Sequence, residues 1–287
     1  MQKCLVTGSC GFVGHHLTKK LCGLGYYTIG LDNLSNGDRK YSSLADDFIW
    51  DDVSGITKET LEGVDWVFHL AALPRVPYSI EHPVETHDNN VNQTLSLLLA
   101  ARDAGVKKFI YSSSSAVYGG QDHFPTNEND RTVPLSPYAV QKLTAELYCE
   151  VFRTVYNLPT VSLCYFNVYG EEQRADNPYT GVITKFIKMK KQNKPLTIFG
   201  DGKQTRDFTY VGDVVDANII TAQKGEGVYN VGTGKSRSIN QIAKAMSDNT
   251  THLPERPGDP ITSLADNKKL RSLGWEPQMD LMTWLLK

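Results

Sequence analysis

The sequence predicts a doubly wound α/β fold, in which helices cover both faces of a parallel β-sheet, with a smaller α/β lobe beside it. Short apolar runs alternate with helical patterns as far as Tyr165, as expected for successive β-α-β units. After Asn167 this alternation breaks. The 287 residues also exceed the size of one typical domain, about 150 residues. We therefore expect a large unit and a small one.

The elements of the first part follow from these patterns. The predicted strands are Cys4–Thr7, Tyr27–Leu31, Phe48–Trp50, Trp66–Leu70, Lys108–Ser113 and Thr160–Tyr165. Apolar residues at helical spacing predict the helices Val13–Leu24, Val91–Ala104 and Pro137–Tyr156. Because the helices connect successive strands, the natural arrangement is a parallel sheet covered on both faces.

The second part mixes helices and isolated strands. We predict Gly181–Gln192, Asp213–Gln223, Ile239–Ser247 and Met279–Leu286 as helices, and Leu196–Phe199 and Val228–Val231 as strands. Residues 1–166, together with about 204–231, are interpreted as the larger domain, and residues 167–203 and 232–287 as the lobe. A cleft is expected between them, beside the carboxyl ends of the strands.

Composition excludes several classes of function. The formal charge of −2 gives no broad basic field for nucleic acid or an anionic membrane, and no apolar run reaches about 18 residues. The five scattered cysteines, with no C-x-x-C pair and no secretory leader before them, favour a reduced, cytoplasmic compartment. His15, His16 and His69 lack metal-ligand spacing with carboxylates, so no metal is expected.

A glycine loop lies between the first predicted strand and the first predicted helix, where a pyrophosphate can approach the backbone. The loop contains Gly8, Gly11, Phe12, Val13 and Gly14, with the spacing G-x-x-G-x-x-G. Asp32 ends the next strand, where a carboxylate accepts hydrogen bonds from ribose hydroxyls and repels a 2′-phosphate. The pattern predicts a dinucleotide site and favours NAD over NADP. The alternative is that Asp32 is only a turn residue.

Candidate catalytic residues lie on the third predicted helix, whose start is marked by the N-cap Ser136 and by Pro137. Tyr138 and Lys142 are four residues apart and therefore share one face. A nearby ammonium and an oxidised nicotinamide both favour the phenolate, so Tyr138 is the candidate general base. Such a pair also occurs by chance. The hydroxyls of Ser112–Ser115, which end the preceding strand, would face the same cleft.

Further motifs accompany these residues. They are Asp32-Asn33-Leu34-Ser35, Asp52-Val53, His69-Leu70-Ala71-Ala72, Asn89-Asn90-Val91-Asn92, Ser112–Gly119, Tyr165-Phe166-Asn167, Phe199-Gly200-Asp201-Gly202, Arg206-Asp207-Phe208 and Arg256-Pro257-Gly258-Asp259. With them, essentially the whole chain resembles the extended short-chain dehydrogenase/reductase family, and within it the nucleotide-sugar 4-epimerases. The resemblance implies a Rossmann-like fold, bound NAD and a UDP-sugar substrate.

The resemblance also implies roles for single residues. Ser114 would orient the 4-hydroxyl of the sugar, Tyr138 would be the base, and Lys142 would hold the nicotinamide ribose and lower the pKa of Tyr138. Asp52 and Val53 would contact the adenine. Further cofactor contacts are implied for Asn33, Leu70, Ala71, Ala72, Asn90, Ser112 and Tyr165. The nucleotide sugar would be bound by Asn167, Phe199, Arg206, Arg256 and Asp259, since arginines can fork onto phosphate oxygens.

The residues after Ser114 separate the related chemistries. They are Ser115 and Ala116, whereas similar dehydratases and decarboxylases carry acidic residues there. Epimerisation needs no such acid: Tyr138 would take the 4-hydroxyl proton, hydride would move from C4 to NAD⁺, and the 4-keto sugar would turn and receive hydride on its other face. A 4-keto reductase, a decarboxylase or dehydratase, and a catalytically idle NAD-sensing scaffold are the alternatives.

Substrate size is expected to depend on Ser263, which is four residues after Asp259 and would flank the 2-substituent of the sugar. A serine there leaves room for an N-acetyl group. This favours UDP-N-acetylglucosamine and UDP-N-acetylgalactosamine as well as, or rather than, UDP-glucose and UDP-galactose. The alternative is that Ser263 is an ordinary loop residue.

The resemblance further implies a homodimer that is formed by two helices of each subunit. These are the predicted helices Val91–Ala104 and Pro137–Tyr156. The apolar stripe would comprise Leu95, Leu98, Leu99, Leu147, Val151 and Val155. The alternative is that these side chains simply cover the sheet.

Overall fold

The computed structural model describes residues 1–175, 181–255 and 260–286. Within them, the strands are β1 (Lys3–Thr7), β2 (Tyr27–Leu31), β3 (Asp47–Ile49), β4 (Trp66–His69), β5 (Lys108–Ser114), β6 (Thr160–Tyr165), β7 (Val168–Tyr169), β8 (Leu196–Phe199), β9 (Thr205–Asp207), β10 (Thr209–Tyr210), β11 (Gly227–Val231), β12 (Ser236–Ser238) and β13 (Thr250–Leu253). The α-helices are α1 (Phe12–Gly23), α2 (Val76–Glu81), α3 (Pro83–His87), α4 (Gln93–Asp103), α5 (Pro137–Val155), α6 (Val182–Lys191), α7 (Val211–Lys224), α8 (Ile239–Met246), α9 (Lys268–Arg271) and α10 (Leu281–Leu285).

The main sheet contains seven strands in the spatial order β11-β6-β5-β4-β1-β2-β3. Every neighbouring pair in it is parallel. The predicted doubly wound, Rossmann-like α/β fold is therefore confirmed. The bounds of the six strands predicted in the first part differ from the observed ones by at most one residue at either end.

Two apolar clusters hold the helices against the sheet. On one face, Leu97 of α4 and Phe152 of α5 are buried among side chains of β4 and β5. On the other face, Leu17 of α1 and Val214 of α7 pack against β1, β4 and β6. Each fully buried side chain of this size contributes roughly 1.5–3 kcal/mol. The strand ends that carry polar residues are thus fixed to a packed platform.

The lobe has an apolar cluster of its own. Phe186 of α6, Ile198 of β8 and Ile242 of α8 are buried in it, and Leu281 of α10 joins them. β8 pairs with β13, β7 with β10 and β9 with β12. After β10, the chain returns to the larger domain, where α7 packs on the sheet and β11 pairs with β6.

Some elements are too short to be predicted from periodicity. A π-helical turn, Asp88–Asn92, precedes α4, and 3-10 helices form at Arg39–Leu44, Val53–Gly55 and Ser115–Val117. All five cysteines are free thiols. Among the helices of the described residues, none has the length and apolarity that crossing a bilayer requires.

Candidate active site

A cleft of about 1030 Å³ lies at the carboxyl ends of β1, β2, β4, β5 and β6. Ligands of parallel α/β sheets bind at this edge. The cleft is lined by most of the predicted residues, namely Gly8, Gly11, Phe12, Val13, Gly14, Asp32, Asn33, Asp52, Val53, Leu70, Ala71, Ala72, Ser112, Ser114, Tyr138, Lys142, Tyr165, Asn167, Arg206 and Ser263. Asn90 and Phe199 are not part of this lining, and Arg256 and Asp259 lie outside the described residues.

The glycine loop brings its backbone close to the floor of the cleft. Gly8 has a φ of +69°, and a Cβ added to it would lie 2.8 Å from the backbone nitrogen of Ala71. A Cβ on Gly14 would lie 1.9 Å from the carbonyl oxygen of Gly8. Gly11 is the N-cap of α1, and no side chain caps this helix end. First-turn N–H groups that lack a capping side chain are suited to an anion, so the loop fits the pyrophosphate of a dinucleotide.

Asp32 fixes the loops around the predicted ribose position. Its Oδ2 accepts a hydrogen bond from the backbone N–H of Cys10 at 2.9 Å, and its Oδ1 accepts one from that of Leu34 at 2.8 Å. Burial raises its pKa, while these two N–H donors lower it. Each carboxylate oxygen can accept a second hydrogen bond. Asp32 thus has acceptor capacity on the cleft side for ribose hydroxyls.

Asp52, one of the two residues predicted at the adenine, is linked to Asn33, another predicted cofactor residue. Asn33 Nδ2 donates to Asp52 Oδ2 at 2.9 Å, and the N–H of Ser54 donates to Asp52 Oδ1 at 3.0 Å. Val53, which follows, is buried. The Asp52-Val53 pair is therefore held in place by the same segment that begins with Asp32.

Asn90 lies behind the cleft wall, in the π-helical turn. Its Oδ1 accepts from the N–H of Leu73 at 2.8 Å. Its Nδ2 donates to the carbonyl of Leu73 at 3.2 Å and to Gln141 Oε1 at 2.9 Å. The amide group of Asn90 thus donates both to Leu73, which lines the cleft, and to Gln141 on α5. In the structure, Asn90 holds the backbone of Leu73 in position. Its predicted contact with the cofactor stays a prediction.

The start of α5 holds Tyr138 from two sides. Ser136 Oγ caps the helix by accepting the N–H of Ala139 at 3.2 Å, and the N–H of Tyr138 donates to Ser79 Oγ at 3.0 Å. Tyr138 and Lys142 are both buried on the same helix face. The Lys142 ammonium lies 6.0 Å from the centroid of the Tyr138 ring.

Lys142 is bound to the end of β5. Its Nζ donates to the carbonyl oxygen of Ser112 at 2.8 Å, and burial lowers its pKa to about 7. Tyr165 OH donates to Asn218 Oδ1 at 3.0 Å and lies 2.9 Å from Ser112 Oγ. Since the phenolic proton goes to Asn218, the hydroxyl of Ser112 donates to Tyr165. This chain of contacts fixes three predicted cofactor residues in one place.

The electrostatic environment of Tyr138 involves a residue that sequence reasoning missed. Burial raises the pKa of Tyr138, while the Ser114 hydroxyl and the positive charge of Arg75 lower it. The N–H of Ala116 donates to Ser114 Oγ at 3.2 Å, which leaves the Ser114 proton for another acceptor. Arg75 is thus a second cation near the phenol, in addition to Lys142, whose Nζ lies 6.0 Å from the Tyr138 ring centroid. The sequence offered one signal for this role: Arg75 is a cation that follows the fourth predicted strand, which ends at Leu70, by five residues.

The side of the cleft that is predicted to bind the substrate is formed by β9 and the loop before α9. Arg206 lines it, and one guanidinium nitrogen donates to the carbonyl of Thr205 at 2.8 Å. Ser263 also lines it, and its backbone N–H donates to the same Thr205 carbonyl at 3.1 Å. Asn167 belongs to this region as well, because its Nδ2 donates to the carbonyl of Asp207 at 3.1 Å. Arg206, Ser263 and Asn167 therefore lie around one strand, at the end of the cleft that faces the lobe.

A cluster of side chains near the glycine loop was also missed. His15 Nε2 lies 3.0 Å from Glu172 Oε2, His15 Nδ1 lies 2.8 Å from the carbonyl oxygen of Gly11, and the ring stacks on Tyr41 at 3.9 Å. Donor atoms of His15, His16 and Glu172 all lie within 4.8 Å of one another. Sequence spacing did not reveal this group because Glu172 comes from the segment after β7. The expectation of no metal stays a prediction.

Known proteins resemble this chain in both sequence and structure. The NAD dependent epimerase/dehydratase family matches residues 4–232. A putative UDP-glucose 4-epimerase of Methanocaldococcus jannaschii is 38% identical, over 96% of this chain and 94% of its own length. The UDP-N-acetylglucosamine 4-epimerase of Methanobrevibacter ruminantium M1, solved in complex with UDP-N-acetylmuramic acid, has a TM-score of 0.94 and 38% identity, covering 99% of this chain and 96% of that one.

A second solved structure, the UDP-glucose 4-epimerase of Thermus thermophilus in complex with NAD, has a TM-score of 0.91 and 32% identity. The match covers 99% of this chain and 96% of that one. These matches confirm the resemblance drawn from the motifs and the predicted cofactor, NAD. The chain belongs to the NAD-dependent epimerase/dehydratase family.

Proposed function

We propose that this chain interconverts the C4 epimers of a UDP-sugar and keeps NAD bound while it does so. The observation that carries the proposal is the convergence of Ser114, Tyr138 and Lys142 on one cleft. Ser115 and Ala116, which follow Ser114, line the same cleft and carry no carboxylate. The acid that elimination of water or loss of CO₂ would use is therefore not beside the base.

Each residue has a separate role in the proposed reaction. Bound NAD supplies the chemistry of oxidation and reduction at C4. Tyr138 takes the proton of the 4-hydroxyl and returns it to the epimeric hydroxyl, so no net proton is consumed. Ser114 holds the sugar oxygen through its hydroxyl proton. Burial opposes ionisation of Tyr138, and the contact with Ser114 and the charge of Arg75 offset part of that cost.

Product analysis tests the proposal. The purified protein is incubated with UDP-glucose or UDP-N-acetylglucosamine without added cofactor, and the anomeric signals are followed by ¹H NMR. We expect the C4 epimer to accumulate to equilibrium. A 4-keto-6-deoxy sugar would identify a dehydratase instead, a pentose a decarboxylase, and dependence on added NADPH a reductase. Absence of any product with NAD bound would favour the sensing scaffold.

The role of Tyr138 is tested by Tyr138→Phe, with Tyr156→Phe near the other end of the same helix as the matched control. Tyr156 is 45% exposed. Loss of the general base should lower kcat at least about 100-fold while NAD stays bound. The control should keep its turnover. Full turnover by Tyr138→Phe would contradict the assigned base.

We also propose that N-acetylated sugars are accepted. Ser263 lines the cleft beside Arg206, which supports its predicted place next to the sugar. Turnover of UDP-N-acetylgalactosamine and UDP-galactose is compared with and without Ser263→Tyr. The larger side chain should reduce turnover of the N-acetylated sugar selectively. An equal loss on both sugars, or no loss on either, would contradict the role of Ser263.

We propose that the chain works as a homodimer in the cytoplasm. Leu147, Val151 and Val155 of α5 are 43–64% exposed, and Leu99 of α4 is 38% exposed, which supports their predicted place in an interface. Leu98 is fully buried in the core of the same chain and therefore cannot contribute. Sedimentation of Leu147→Lys against the unmodified chain tests the dimer, and an unchanged mass would refute this interface.

A further inference from the structure

Arg75 is a cation in the cleft that the proposed reaction does not fully use. It precedes α2 as its N-cap residue, and its carbonyl accepts the N–H of Ser79 at 2.9 Å. Its side chain is half-buried and lines the cleft together with Tyr138. Burial lowers the pKa of its guanidinium. Within the described residues, this guanidinium has no hydrogen bond and no ion pair.

The other cations of the cleft differ from Arg75 in this respect. Lys142 Nζ donates to the carbonyl of Ser112 at 2.8 Å. Arg174 donates to carbonyl oxygens of the loop after β2, and Arg206 to that of Thr205. Their hydrogen-bonding groups are thus engaged with the chain itself. Of these four side chains, Arg75 is the one whose charged group has no partner in the described part of the chain.

The carboxylates that line the cleft have other partners. Asp32 accepts two backbone N–H groups, Asp51 accepts the backbone N–H of Asp52, and Asp52 accepts Asn33. Glu172 contacts His15, and Glu85 accepts the hydroxyl of Tyr78. Among the residues that the structure describes, the phenol of Tyr138 is the one group whose charge affects the pKa of Arg75. A half-buried guanidinium without an anion is unfavourable, so a ligand is the natural source of its counter-charge.

The position of Arg75 indicates which part of a ligand would meet it. Its carbonyl accepts the N–H of Ser79, whose Oγ accepts the N–H of Tyr138 at 3.0 Å, and Arg75 and Tyr138, the proposed base at the reacting hydroxyl, line the same cleft. The proposed diphosphate residue Arg206 is on β9, and the glycine loop lies at the amino end of α1. The group opposite Arg75 would therefore belong to the hexose rather than to either diphosphate.

We propose that Arg75 selects nucleotide sugars whose hexose carries a carboxylate, which its guanidinium would bind through two parallel N–H···O contacts. The proposal rests on the proposed function and names the substrate class of that same site. Two sugars present this chemistry: a hexuronate, in which the carboxylate replaces the C6 hydroxymethyl group, and a hexosamine with a lactyl ether on O3. The experiment separates the two.

The wild-type holoenzyme and Arg75→Gln are tested on two matched pairs of ligands. UDP-glucuronate is compared with UDP-glucose, and UDP-N-acetylmuramate with UDP-N-acetylglucosamine. Calorimetry gives Kd for each ligand, and NMR gives kcat/KM where turnover occurs. The control is Arg174→Gln, which removes a cation from another part of the same cleft. NAD content is measured for every variant.

We expect the wild type to prefer the carboxylated member of at least one pair by tenfold or more. Arg75→Gln should reduce that preference ratio about 100-fold, and Arg75→Lys, which keeps the charge but not the fork, about tenfold. Arg174→Gln should leave the ratio unchanged. The pair that shows the preference identifies the source of the carboxylate.

Three results would overturn the proposal. They are a wild-type preference for the uncharged member of both pairs, a preference that survives Arg75→Gln, and loss of NAD from Arg75→Gln alone. The binding measurements report on Arg75 even where no sugar is turned over. Failure of the epimerase activity is thus distinguishable from failure of the carboxylate site.

Discussion

Replacing Lys142 by Met should stabilise the NAD-free protein, and the gain should depend on pH. Burial lowers the pKa of Lys142 from 10.5 to about 7. Below pH 7 the ammonium is charged in both the folded and the unfolded chain, so folding bears the whole cost of burying it. Between pH 7 and 10.5 the folded chain binds fewer protons than the unfolded one, and stability therefore rises with pH.

The shift of the pKa sets the magnitude. At about 1.4 kcal/mol for each pKa unit, Lys142 costs roughly 5 kcal/mol at pH 6 and roughly 2 kcal/mol at pH 9. The advantage of Lys142→Met should thus shrink by about 3 kcal/mol over this range. For a chain of this size, that corresponds to about 6 °C in Tm. The variant also loses the hydrogen bond to Ser112, which lowers its advantage throughout this range.

Differential scanning fluorimetry of the nucleotide-free proteins from pH 6 to pH 9 measures this difference. Lys19→Met, at an exposed position on α1, is the matched control and should show no such trend. An advantage of Lys142→Met that is constant with pH, or that grows as pH rises, would refute the argument. Turnover should be lost in this variant, because the proposed nicotinamide-ribose contact is removed.

Two further substitutions test the framework of the site. Gly14→Ala places a Cβ 1.9 Å from the carbonyl oxygen of Gly8, so we expect urea unfolding to show a free energy of unfolding lower by about 3 kcal/mol, together with loss of bound NAD. The control Gly23→Ala, which has open space around it, should be neutral or stabilising. Equal stabilities of the two variants would contradict the close approach. Asp207→Asn should cost about 2 kcal/mol or more, since the buried carboxylate accepts the N–H groups of Thr233, Gly234 and Ala265 and the Thr233 hydroxyl, and an unchanged urea midpoint would speak against this role.

The sequence predicted the elements that carry a long, clear pattern. β2 and β6 were predicted with their observed bounds, and α5 ends one residue earlier than predicted. β7 and β10 have two residues each, and no periodicity can be read from so short a segment. Their pairing depends on contacts between distant parts of the chain. Propensity within a local window contains no information about those contacts.

Residues that line the cleft were predicted where they belong to motifs, whereas contacts between distant parts of the chain were missed. Gly8 and Asp32 were found because strand, loop and helix follow one another directly in the sequence. The effect of Arg75 on Tyr138 was not, because Arg75 precedes α2 and Tyr138 is on α5, and only the fold brings these two segments together. The pair of His15 with Glu172 was missed for the same reason, across 157 positions of sequence.

The repeated passage of the chain between the two units has a consequence for the cofactor. After the lobe strand β12, Ala265 pairs with Thr126, Trp275 enters the core beneath the main sheet, and Leu281 returns to the core of the lobe. A unit tied at several places cannot swing on a single hinge. We therefore expect slow exchange of NAD with the surroundings, so that the reaction would be insulated from the redox balance of the cell.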